Sequence, residues 1–247
     1  MKKVSALALI ICFILSGCSF FSFDDSEDIP TYVPPSASDI TEVEPLSCQD
    51  ALTNEAGSII ATYEAFVPQF SETGERKEAI RRINSYYKAE IRALNQDMQD
   101  FFSYVKTLGD SEDAAYVTSD YELLPASPEY VCVMRTYSMY QKGVLSVHPS
   151  CQLFLTDTGW RLSFSELFGE NEDAALELLK ANLKDWCAKN SLPDHVCDDI
   201  NADTLFNRFG IGENSLYVCL QPFSVAANDP QSYVAELPLA PFSELFN

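Results

Sequence analysis

Residues 129–164 read EYVCVMRTYSMYQKGVLSVHPSCQLFLTDTGWRLSF, and this stretch decides the fold class. Glu129 to Tyr140 and Val144 to Leu155 are rich in β-branched and aromatic residues, the composition of strands. Gln141-Lys142-Gly143 between them has room only for a hairpin turn. Asp157-Thr158-Gly159 is a second tight turn, because Asp and Gly tolerate the backbone angles that reverse a chain, and Trp160 to Phe164 leaves it as a short strand. Strands joined by such short turns pair antiparallel.

Upstream, Gly57 to Phe70 reads as a strand. Glu75 to Leu108 follows as the clearest helix: Ile80, Ile83, Tyr87, Ile91, Leu94, Met98, Phe101 and Val105 recur at steps of three or four, one apolar stripe. Gly109 stands where a capping glycine belongs. Asp113 to Leu124 is a further strand. Downstream, Ser165 to Phe168 begins a helical turn. Glu172 to Cys187 is the second main helix, with Ala175, Leu176, Leu179, Leu183 and Trp186 on one face. Ser191 to Asp203 is polar and loop-like. Phe209 to Ile211, Ser215 to Gln221 and Ser232 to Pro238 close the chain as strands. The expected class is α+β, an antiparallel sheet packed with two main helices.

The N-terminus has another logic. Met1-Lys2-Lys3 is positive, Val4 to Leu15 is apolar apart from Ser5, and Leu15-Ser16-Gly17-Cys18 follows at once. That order is expected of an export signal over residues 1–17. The apolar run is too short to span a hydrocarbon core of roughly 30 Å. Leu-Ser-Gly-Cys is similar to the lipobox of bacterial lipoproteins, which implies acylation of Cys18 and an anchor on the extracytoplasmic face of the cell membrane. A plain secreted chain or an uncleaved anchor helix are the alternatives. Residues 18–46 read as a tether: acidic, without Lys or Arg, and stiffened by Pro30, Pro34, Pro35 and Pro45. Residues 47–247 remain for a domain with a real core, read as a strand-helix part over 47–110 and a larger part over 111–247.

Net charge is −21. A surface of that sign disfavours nucleic acid, whose phosphates need basic groups. It steers cationic protein partners inward. Outside the signal and the anchor there are six cysteines, an even number in an oxidising compartment, which points to disulfides. If Tyr140 and Gly143 frame the hairpin turn, Cys132 faces Cys151 across paired strands. Pro149 then falls opposite Met134, where a ladder donor is needed and proline has none. Cys187 with Cys197 is the next candidate pair, and Cys48 with Cys219 follows by exclusion.

No catalytic constellation appears. There is no nucleophile elbow, zinc helix or phosphate-cradling glycine loop. His148 and His195 are the only histidines, and no sequence feature marks a nucleophile beside either. Cys187, His195 and Cys197 lack a fourth zinc ligand. Asp199, Asn201 and Asp203 alternate like the start of a calcium loop, but Thr204 and Gly210 stand where its glycine and closing glutamate belong. No catalytic residue, metal or cofactor is therefore expected.

The tail, FNRFGIGENSLYVCLQPFSVAANDPQSYVAELPLAPFSEL, resembles the C-terminal part of the RsiV-like extracellular domain family. Phe209, Ile211, Leu216, Tyr217, Pro222, Phe223, Val225, Ala226, Val234, Leu237 and Pro238 carry the likeness. Asp157, Gly159, Leu162, Leu167 and Phe168 carry it in DTGWRLSFSELF, and Val67, Pro68, Ile83 and Asn84 in the strand-helix part. A Gly-Gly-Ala-His segment usual in the family between the Leu-Ser-Val strand and the Asp-Thr-Gly turn is absent. The resemblance implies a sensing or ligand-binding module at the cell wall. One member is a membrane anti-sigma factor whose outer domain binds lysozyme, and others precede peptidoglycan deacetylase domains. An anti-sigma role of that kind is not expected here, since the sequence shows no sigma-binding segment or transmembrane helix. The expected partners are the membrane, through Cys18, and a cationic lysozyme-like protein or a wall ligand. A peptidoglycan-modifying enzyme and a surface scaffold are the alternatives.

Overall fold

The computed structural model describes residues 40–108, 114–124, 128–221 and 231–246. The signal, Cys18, most of the tether, Gly109, Pro222, Phe223, Val225 and Ala226 lie outside them. The α+β class holds. Strands β1 (Glu42–Thr53), β2 (Ile59–Phe70), β3 (Ala115–Leu123), β4 (Tyr130–Gln141) and β5 (Val144–Leu155) form a five-stranded sheet in chain order. Helix α1 (Lys77–Thr107) carries the chain from β2 across the sheet, so β3 lies parallel to β2 while the other ladders are antiparallel. A crossover helix is what a parallel neighbour requires. Helices α2 (Phe164–Phe168), α3 (Glu172–Lys189) and α4 (Ala202–Leu205) follow. A three-stranded antiparallel sheet closes the fold, made of β6 (Phe209–Ile211), β7 (Ser215–Leu220) and β8 (Tyr233–Pro238).

Strand β1 begins inside the stretch read as tether. Its acidic, proline-bearing sequence suits an edge strand: Pro45 sits at a register shift, and Leu46 and Cys48 turn toward the core while acids face water. The expected strand at Trp160–Phe164 is reduced to one bridge between Phe154 and Arg161, and Phe164 instead starts α2. The polar loop at 191–203 contains a short 3-10 turn, Asp194–Cys197, and the start of α4.

The five-stranded sheet has two buried faces. On the front, α1 lays Ile80, Ile83, Tyr87, Met98, Phe101 and Val105 over Tyr63, Val67, Val117, Val133 and Phe154. On the back, Cys132, Cys151 and Leu153 meet Phe164, Leu179, Leu183, Phe209, Val218 and Phe242 from α2, α3, the small sheet and the C-terminal turn. Alternation along each strand makes this division, since neighbouring side chains point to opposite faces.

The cysteine expectations need correction. All six described cysteines are buried thiols, and none is in a disulfide. The hairpin closes on Gln141 and Val144 with Lys142-Gly143 as its turn, not on Tyr140 and Gly143. Lys142 (φ 50°) and Gly143 (φ 78°) both take left-handed angles, the type I′ geometry that matches strand twist. Met134 therefore faces Cys151 and Leu153 faces Cys132. Thr136 and Pro149 then fall among the non-hydrogen-bonded pairs, where proline's missing N–H costs no ladder bond. Cys187 and Cys197 both enter the back core as thiols. Cys48 packs under α1, its thiol 3.6 Å from Met98 Sδ, whereas Cys219 lies behind the sheet, so the sheet separates that pair.

Candidate functional site

The Asp157-Thr158-Gly159 turn packs against the first half of α1. A Cβ on Gly159 (φ 68°) would stand 2.2 Å from the Ala79 carbonyl oxygen, so only glycine permits this approach. The approach sets Trp160 and Arg161 beside α1. Arg82 donates to the Thr158 carbonyl, and its guanidinium stacks 4.2 Å from the centre of the Trp160 ring. Arg161 stacks at 4.2 Å over Phe206, donates to the Phe206 carbonyl at 3.2 Å and is held by the Asn207 side chain. It also reaches the Tyr86 hydroxyl at 3.4 Å. Because Arg82 and Tyr86 are one helical turn apart and Trp160 and Arg161 are consecutive, the two stacked pairs form one patch.

The exposures stand out. Trp160 is 61% and Phe206 46% exposed. Among the described residues neither Arg82 nor Arg161 is within salt-bridge reach of a carboxylate, and the Arg161 Nε is buried without a hydrogen-bond partner. On a chain of net charge −21, this patch joins two exposed rings to two guanidinium groups that no carboxylate neutralises. Trp and Arg are the residues that anchor interfaces.

Behind the patch runs a buried polar chain. Gln152 Nε2 donates to the Tyr86 hydroxyl at 3.2 Å and to Glu90 Oε2 at 3.1 Å, while the Tyr87 hydroxyl donates to Gln152 Oε1 at 2.9 Å. Glu90 forms an ion pair with Arg135, which is 4% exposed and also donates to Ser119 Oγ at 2.7 Å. Burial raises the Tyr86 and Tyr87 hydroxyls above the ordinary tyrosine value, so both stay protonated near neutrality. The chain fixes Tyr86, and through it Arg161, from the inside.

The residues singled out from sequence are scattered. His148 lies on β5 with Nε2 2.6 Å from Ser146 Oγ and its ring edge-on to Tyr137. His195 is exposed on the 3-10 turn beside Val196 and Cys197, which enter the core. The Asp199, Asn201, Asp203 alternation is a helix cap: the Asn201 side chain accepts from Thr204 N–H and the Thr204 hydroxyl accepts from Asn201 N–H, a reciprocal pair that starts α4. Sequence reading missed the patch, although Trp160 and Arg161 stood in the quoted turn. A large aromatic followed by arginine just after Asp-Thr-Gly is the only signal it left. A separate cavity of about 640 Å³ lies between the β1–β2 turn and the end of α1, near Asn54, Ile60 and Lys106. No ring or buried charge lines it, so it offers less to a ligand.

Of the residues that carried the resemblance, Val67, Ile83, Leu167, Phe168, Phe209, Ile211, Leu216 and Leu237 are buried. They encode packing, not ligand contact. No family model and no curated protein matches the chain. Solved structures do, and two crystal structures are among them. One is a DUF3298 family protein from Pseudomonas aeruginosa PAO1, at 11% identity over 83% of this chain and 93% of that one, with a TM-score of 0.55. The other is a DUF3298 family member from Bacteroides fragilis NCTC 9343, at 10% identity over 85% and 94%, with a TM-score of 0.51. At such identities the likeness is one of architecture, and this chain shares its α+β fold with those two DUF3298 proteins.

Proposed function

We propose that this protein is a lipid-anchored binding module, held at the extracytoplasmic face of the cell membrane by Cys18 and presented to the cell wall on its acidic tether. The observation that carries the reading is the Trp160–Arg82 and Phe206–Arg161 patch: exposed rings under unneutralised cations, backed by a buried polar chain that holds them in place. The RsiV-like resemblance and the net charge of −21 favour a cationic, lysozyme-type muramidase as the partner. In that complex the acidic surface around the patch speeds encounter, and the patch, itself cationic, seats an acidic or aromatic group of the partner at short range. Binding of lysozyme to the full chain, followed against ionic strength, tests the reading. Affinity falls steeply with salt, because screening shortens the reach of surface charge to about 8 Å at physiological ionic strength. Trp160→Ala weakens binding at least tenfold, the loss of one anchor residue. No binding at low salt, or binding indifferent to Trp160→Ala, overturns it.

A second reading, a hydrolase acting on peptidoglycan, rests on the 2.6 Å contact between Ser146 Oγ and His148 Nε2. Among the described residues no carboxylate orients the other imidazole nitrogen, which weakens that reading. Release of reducing ends or acetate from wall material, lost on His148→Ala, would establish it over the first.

A further inference from the structure

The back core holds a group of thiols that the binding role does not use. Cys132 on β4, Cys151 on β5 and Cys219 on β7 converge where the two sheets meet, at 3%, 0% and 0% exposure. The Cys151 and Cys219 sulfurs are 3.6 Å apart. The junction is shaped around them. A Cβ on Gly210 of β6 would stand 2.6 Å from the Cys132 sulfur and 3.0 Å from that of Cys151, so any larger residue would collide with the thiols. Backbone bonds hold the strands in place here, with Cys151 N–H donating to the Asn207 carbonyl at 2.9 Å and Cys219 N–H to the Arg208 carbonyl.

We propose that Cys151 and Cys219 form a disulfide that staples β5 of the large sheet to β7 of the small one, made by exchange with a disulfide-bearing oxidant. Their sulfurs need to close from 3.6 Å to a bond length near 2.0 Å, which a side-chain rotation supplies. Cys132 is the poorer partner for Cys151. The two lie diagonally across the β4–β5 ladder, where neighbouring Cα atoms stand roughly 7–8 Å apart, beyond the ~4.4–6.8 Å that a disulfide usually spans. The Cys219 thiolate displaces one sulfur of the oxidant, which leaves as a thiol. The Cys151 sulfur, losing its proton, then attacks the Cys219 sulfur of that mixed disulfide and expels the second oxidant thiol. Two protein thiols are oxidised and one oxidant disulfide is reduced to two thiols. Both cysteines are sealed from solvent in the native state, so the exchange takes place while the two sheets dock or when they part.

The test is oxidative refolding of the full chain with oxidised glutathione, then alkylation under denaturing conditions and peptide mapping without reductant. Cys151 joined to Cys219, with Cys132 alkylated, is the expected result. The oxidised chain also melts roughly 5–10 °C above the reduced one, a rise that dithiothreitol reverses. Cys132→Ser keeps the link. Alkylation of all three thiols, or a link from Cys132 to either of the other two, overturns the proposal. Because the mapping is done on the unaltered chain, its outcome stands even where the Cys132→Ser variant fails to fold.

Discussion

Strand β5 serves two cores of opposite character. Gln152 faces forward into a network of charge and hydroxyls under α1, while Cys151 and Leu153 face backward into a core without a buried charge. Ser119, Arg135, Gln152 and Asn84, all buried and polar, belong to the α1 side. A single helix covers only a stripe of a sheet, so its flanks stay near water and a buried arginine finds a half-buried carboxylate, Glu90, at the margin. The back is closed by a second sheet and two helices, with no such margin. A charge there would be unpaired, and apolar groups and neutral thiols fill it instead.

The largest expected effect breaks the front. Glu90→Ala leaves Arg135 buried without its counter-ion and destabilises the protein by about 3–5 kcal/mol, measured by urea unfolding. Adding Arg135→Met recovers most of that loss if the cost lies in the stranded charge. If both single substitutions instead prove mild, the front tolerates charge as a surface would and the contrast with the back fails.

The back breaks through volume. Gly210→Ala forces a methyl group against the Cys132 and Cys151 sulfurs and costs about 1–3 kcal/mol. Coupling it with Cys132→Ala relieves part of the cost, and a double-mutant cycle in the presence of reductant reads the difference. Additive effects would mean that the thiols are not what Gly210 accommodates.

A smaller effect is a slope against pH. In the reduced protein, kept so by dithiothreitol, the Cys151 thiol is raised in the folded state, so its contribution to stability is complete below the unfolded thiol value, about 8.5, and declines as pH rises from there toward the folded value. Tyrosines begin to titrate near 10, so the window is roughly pH 8.5–10. The decline is about 1 kcal/mol per pH unit for one such thiol. Cys151→Ala lessens the slope; an unchanged slope assigns it to Cys48 on the front, whose thiol is also raised, first by burial and then by Asp50 and Asp97.

The smallest stability effect is expected where the binding effect is largest. Trp160→Ala removes a mostly exposed ring and one cation–π contact, and shifts folding stability by about 0.5–1 kcal/mol. A much larger loss would make Trp160 a structural residue and move the proposed contact surface elsewhere.

The sequence by itself determined the elements. The stripe from Ile80 to Val105 lies where periodicity places it, and the strands from Val144 to Leu155 and from Phe209 to Ile211 lie where composition and turn signals place them, because period, composition and turn signals all depend on residues adjacent along the chain. The hairpin register was also within reach, since a two-residue turn prefers glycine at its second position, as Lys142-Gly143 has it. Strand β1 was hidden by its acids and Pro45, which an edge strand accepts and a composition average reads as tether. Only the tertiary structure decided the rest. Glu90 meets Arg135 because α1 crosses β4, Trp160 and Phe206 share a patch because Gly159 lets a turn touch Ala79, and Cys151 nears Cys219 because two sheets dock back to front. Such meetings join residues far apart in sequence through the packing of whole layers, and no local pattern records which face will meet which.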